Sequence, residues 1–138
     1  MKKKIVFLLV AALLITGFNT MSFAAGNGGS QGITPYWQNT SSVHAHLTIL
    51  NETEGNLSVL INGDLGVTRI SAVATLYYKN PSNRWLKTGI MWTYMEDDDY
   101  LAIDEDFTAE PGVEYKVILE AYVYANGTCD TITREIYS

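Results

Sequence analysis

Four groups of side chains in this sequence are of types that do chemistry. His44 and His46 stand two apart. On a strand that spacing puts both imidazoles on one face, a usable pair of ligands for zinc or copper. A closed site needs more ligands, and only Glu52, Glu54 or a distant carboxylate could supply them. Both histidines alternate with apolar residues, so the expectation is two solvent-facing side chains. Glu96 to Asp99 and Asp104 to Asp106 form a dense acidic patch. Calcium takes several oxygen ligands, which makes Asp97, Asp99, Asp104 and Asp106 the weak metal candidates. The run lacks the alternating Asp-x-Asp-x-Asp-Gly spacing of a dedicated calcium loop. A solvated loop and strand face is expected instead, with Asp104 and Asp106 sharing one side and Glu105 the other. No cofactor is implied.

Covalent catalysis finds no footing. There is no Gly-x-Ser-x-Gly elbow and no phosphate-cradling glycine loop. A glycosidase needs two carboxylates at a set separation, and nothing singles out such a pair. The reading is a protein that is not an enzyme. The alternative is a secreted carboxylate-based or calcium-dependent enzyme using the acidic patch. Cys129 is the only cysteine, so no disulfide framework exists and the core must hold the fold alone. It has no activating neighbour in sequence.

The elements that carry these groups have a period of two. Val43, Ala45, Leu47 and Ile49 alternate with Ser42, His44, His46 and Thr48. Leu57, Val59 and Ile61 make a second stripe, and Ile70, Ala72, Ala74, Leu76 and Tyr78 a third. Residues 84–94 and 100–107 are the fourth and fifth strands. Tyr115, Val117, Leu119, Ala121 and Val123 form the stripe of a sixth. Asn126-Gly127 follows, the composition of a two-residue type I′ turn, and 128–137 return as a seventh. With that turn at the tip, Ala125 faces Thr128, Ala121 faces Ile132 and Val117 faces Ile136. The register puts apolar on apolar. Outside the N-terminal segment no stretch has a helical period. Seven short strands at this spacing predict an all-β fold, a seven-stranded antiparallel sandwich.

Pro111-Gly112-Val113-Glu114-Tyr115-x-Val117-x-Leu119-x-Ala121 resembles the penultimate strand of immunoglobulin-like and fibronectin-type sandwiches. There a tyrosine at the strand start closes a tyrosine corner, and Tyr115 is the match. The cysteine pair and inner tryptophan of antibody domains are missing. The whole chain also resembles a group of small secreted proteins of Gram-positive bacteria. The shared features are Ile33 to Trp37, Arg69 to Ala72, the Leu76-Tyr77 pair with Trp85 soon after, and Tyr115 to Val123. That resemblance implies an immunoglobulin-like fold and an extracellular location, and it carries no catalytic residue across.

Location follows from the N-terminus as well. Lys2, Lys3 and Lys4 precede an apolar run from Ile5 to Ile15, and Ser22-Phe23-Ala24 sets small residues where a signal peptidase reads them. Residues 1–24 are expected to be a cleaved signal peptide, cut between Ala24 and Ala25. The apolar run is short of the about 20 residues a bilayer requires. Residues 25–32 are a flexible Gly/Asn/Ser tail and 33–138 the β-sandwich domain. The three lysines leave with the signal, so fifteen acidic side chains remain against six basic ones. Such a charge opposes nucleic acid and anionic membranes.

One feature points to a partner. If the third, sixth and seventh strands share a sheet, Tyr77, Tyr122 and Tyr124 project from its outer face, with Trp85 or Trp92 extending the cluster. Tyrosine offers an apolar face and a hydrogen-bonding tip, which suits sugars and proteins alike. The expected function is a secreted, non-catalytic binding or interaction module for an unknown protein or carbohydrate ligand.

Overall fold

The computed structural model describes residues 37–138. The expected signal peptide, its cleavage point at Ala24 and Ala25, the tail at 25–32 and most of the Ile33 to Trp37 opening lie outside the described residues. Seven strands follow: β1 Thr40–Asn51, β2 Glu54–Gly63, β3 Val67–Lys79, β4 Trp85–Glu96, β5 Tyr100–Thr108, β6 Tyr115–Ala125 and β7 Thr128–Tyr137. They form two antiparallel sheets, β1-β2-β5 and β4-β3-β6-β7, and no helix occurs among the described residues. The fold is the all-β sandwich that the alternation predicts.

β3, β6 and β7 share a sheet, and β4 joins them at the edge beside β3. A tight turn explains that placement. Asn83 adopts a positive φ of 62° and donates its N–H to the Asn80 carbonyl, while Asn80 donates to the Arg84 carbonyl. A turn this short returns the chain alongside the strand it left. The result is a three-plus-four split, whereas constant-type immunoglobulin domains keep four strands in the sheet of the first strand.

The last hairpin has the register read from its turn. Ala125 pairs with Thr128, Ala121 with Ile132 and Val117 with Ile136. Asn126 and Gly127 both take positive φ, at 47° and 79°, as a type I′ turn requires. Leu57, Ile61 and Leu101 from one sheet meet Ile70, Leu76, Val117 and Leu119 from the other, all fully buried. The stripe of β1 is only partly covered. Leu47 is buried, Val43 and Ala45 are half-buried, and Ile49 is 38% exposed. β1 is an edge strand, and its register with β2 slips between Ile49 and Asn51, a local break in the ladder at the end where Ile49 is exposed.

Tyr115 closes the expected corner. It is buried, and its hydroxyl accepts the Glu110 N–H at 2.9 Å. Its ring packs on Phe107 at 5.3 Å, which in turn meets Trp92 at 6.4 Å. Phe107 pairs with Gly55 across the strands, and the far end of its ring lies against the glycine. A Cβ at position 55 would come within 2.2 Å of the ring.

The open sides of the sandwich are joined by side chains. On the β4/β5 side the Tyr94 hydroxyl donates to the Glu105 carboxylate. On the β1/β7 side Asp130, buried opposite Val123, accepts the N–H groups of Gln38 and Asn39 at 3.1 and 2.8 Å and the Thr40 hydroxyl at 2.9 Å. Burial pushes the Asp130 carboxyl up, but the hydrogen bonds from Asn39, Gln38 and Thr40 outweigh it and hold the group below the usual carboxylate range.

A carboxyl depressed on folding stabilises the native state above its unfolded pKa of about 3.9, and that contribution fades as pH falls through the lower folded value. Asp130→Asn should therefore cost about 1.5–3 kcal/mol at pH 7. In urea unfolding at pH 3 and below, the gap to the unaltered protein should close progressively. Gly55→Ala should cost about 1–3 kcal/mol through overpacking against Phe107. Thermal melts of that variant alone and together with Phe107→Leu check the contact, and the second change should recover part of the loss.

Candidate functional site

Alternation gives each sheet one outer face, and the two faces differ in charge. β1, β2 and β5 contain no lysine or arginine. The outer face of the four-stranded sheet and its rims carry Arg69, Lys79, Lys87 and Lys116. Asp97, Glu114, Glu120 and Glu135 balance them. Three of these cations are paired there: Arg69 with Asp97 at 2.6 Å, Lys79 with Glu114 at 3.0 Å and Lys116 with Glu135 at 3.0 Å. The Arg69 hydrogen bond, then its charge, holds the exposed Asp97 carboxyl below the ordinary range.

On this neutral face the register sets out the aromatic residues. Tyr77 lies opposite Lys116, Ser71 opposite Tyr122 and Arg69 opposite Tyr124. Tyr122 and Tyr124 are 38% and 39% exposed, and Met91 and Met95 on β4 are each 62% exposed. Val73, Thr75 and Ile118 lie between them, half-buried. Thr68, Arg69, Asp97 and Tyr124 line an open cleft of about 420 Å³ at one end of the face.

The other end is built around Lys116. Although it lies on an outward position, Lys116 is buried. Its ammonium sits 5.0 Å from the Trp85 ring centre, 5.7 Å from Tyr137 and 5.8 Å from Tyr77. Trp85 reaches across β3 to meet Tyr137 edge-on at 5.8 Å. The Tyr137 hydroxyl donates to Glu135, and that bond, with the one from Lys116, holds the Glu135 carboxyl below the ordinary range. Three rings and a carboxylate thus enclose an ammonium supplied by the chain itself.

The five expected binding residues therefore divide. Tyr122 and Tyr124 stand exposed on the outer face. Tyr77 and Trp85 share that face but are engaged with Lys116. Trp92 is on the other side: it pairs with the buried Ala74 and packs on Phe107. The reason is parity, because positions 85 and 92 are seven apart and an odd spacing along a strand selects opposite faces. Met91, Met95 and Tyr137 complete the surface and were not singled out from sequence. Their odd numbers in β4 and β7, shared with Lys87 and Glu135, were the available signal.

The acidic candidates do not gather at one place. Asp97 is engaged by Arg69 on the rim of the four-stranded sheet. Asp104 and Asp106 stand on the outer face of the three-stranded sheet, where both accept from the Asn56 amide at 2.8 and 2.9 Å. Glu105 turns inward to Tyr94, as the alternation required. Asp99 lies in the loop between β4 and β5 and gives its carbonyl to the Gly63 N–H. Among the described residues no group of three or more His, Cys, Asp or Glu side chains is placed to hold a metal ion.

His44 and His46 are exposed on β1, and the register lines His46, Ser58 and Asp104 across three strands. Serine occupies the middle of that row. A nucleophile relay needs the imidazole between the hydroxyl and the carboxylate, and no hydrogen bond joins the three. Cys129 faces Tyr124 across the hairpin and is exposed.

Removing the Lys116 ammonium should loosen the aromatic end without touching Tyr122 or Tyr124. Lys116→Ala should lower stability by about 1–3 kcal/mol, and Lys116→Met, which keeps the apolar stem, by about half as much. Chemical unfolding followed by tryptophan fluorescence measures both. No protein-family model and no curated protein matches the chain, so its function is read from the geometry above.

Proposed function

We propose that the protein is a secreted bacterial binding module without catalytic activity, and that it engages its partner through the outer face of the four-stranded sheet. The observation that carries this reading is the composition of that face. Tyr122, Tyr124, Met91 and Met95 stand well exposed where a sheet normally turns polar residues to water. The surface presents tyrosine hydroxyls beside apolar patches, which suits a protein surface or a carbohydrate. Export is supported by the N-terminal lysines, apolar run and small-residue site, together with the resemblance to Gram-positive secreted proteins. The acidic surplus outside this face favours solubility.

Replacing Tyr122 and Tyr124 together by alanine tests the reading. Binding to polysaccharide arrays and to Gram-positive cell-wall preparations should fall about tenfold or more, a loss of 1.4 kcal/mol or greater. The melting temperature should move by less than about 4 °C, since both side chains are well exposed. Undiminished binding by a folded double variant would remove the face from consideration.

A further inference from the structure

We infer that the partner of this face is a second copy of the same chain, so that two sandwiches pack through their four-stranded sheets. The inference rests on reading the face as a binding surface and adds the identity of the occupant. Charge selects it. The chain carries a large acidic surplus, so two copies repel one another over most of their surfaces. The outer face of the four-stranded sheet is where the charges cancel, and two copies meet there without like-charge cost. Beyond its internal pairs it presents one unpaired cation, Lys87, and one unpaired carboxylate, Glu120. A two-fold interface uses the same patch twice, and a patch that carries both signs can satisfy itself.

Size agrees. β6, eleven residues long, spans about 36 Å, and four strands about 4.8 Å apart cover about 19 Å. The footprint is thus about 700 Å² before side-chain relief is counted, close to the about 800 Å² per partner of a standard interface. Apolar side chains sit toward its middle, Met91, Val73 and Ile118 among them. Ion pairs lie toward its two ends, and the unpaired Glu120 sits opposite Val73 between them.

Sedimentation velocity on the protein purified from the expressing cells or their medium tests this. A concentration-dependent monomer–dimer equilibrium is expected. Met91→Lys and, separately, Tyr122→Lys should weaken it about tenfold or more, because each buries two unpaired ammonium groups per dimer. Leu60→Lys, on the outer face of the other sheet, should leave it unchanged. Circular dichroism melts confirm that each variant is folded, and Thr93→Lys replaces any that is not. A single monomer up to about 1 mM, where association is negligible, would overturn the inference, as would a dimer indifferent to the lysines on this face. If the monomer still loses polysaccharide or cell-wall binding on Tyr122→Ala/Tyr124→Ala, the binding surface stands and only the second copy is rejected. If neither association is seen, both readings fall.

Discussion

The two sheets share no hydrogen-bonded strand, and everything else in the molecule follows from that separation. Each sheet is internally complete in backbone bonds, so only side chains can hold one against the other. Leu, Ile and Val from both inner faces supply most of the adhesion, which is nondirectional. Direction comes from the open sides. There a carboxylate on one sheet reaches polar donors on or beside the other, Asp130 toward the entry to β1 and Glu105 toward Tyr94. A sandwich lacking these contacts would still collapse, but its sheets could slide. Asp130 carries the heavier duty, since it accepts the Gln38 and Asn39 amides at the point where β1 begins.

Much of this was legible in the residues. Side chains alternate strictly in β2, β3 and β6, because each of these strands lies inside its sheet with a buried face. The Asn126-Gly127 turn set the β6–β7 register, and Tyr115 announced the corner it closes. The edges were harder. β1 alternates as cleanly as β2, yet only Leu47 of its stripe is buried, because an edge strand has a neighbour on one side alone. Asp130 falls on the inward register of β7, opposite Val123. A charge there should have signalled a buried acceptor in need of donors. Its partners are some ninety positions away, and no local pattern names them.

The candidate face shows the same division. That Tyr122 and Tyr124 point outward followed from alternation once β3, β6 and β7 shared a sheet. The position of Trp92 on the core side also followed, and only required counting the interval from Trp85. The burial of Lys116 could not be foreseen. It depends on Trp85 and Tyr137 arriving from opposite edges of the sheet, which is a property of strand order. The acidic patch reads as one cluster along the chain and is distributed over two sheets in space. Asp97 and Asp104 are near in sequence, but the turn into β5 carries the chain from one layer to the other.

The contact between Gly55 and Phe107 binds two distant positions into one heritable unit. A ring can rest on the backbone of β2 only while position 55 has no side chain, and a side chain there can be tolerated only once the ring has shrunk. Descendants of this chain should carry a side chain at position 55 only where position 107 has become smaller. Drift at position 55 alone meets a barrier that the rest of the domain, however permissive, does not lower.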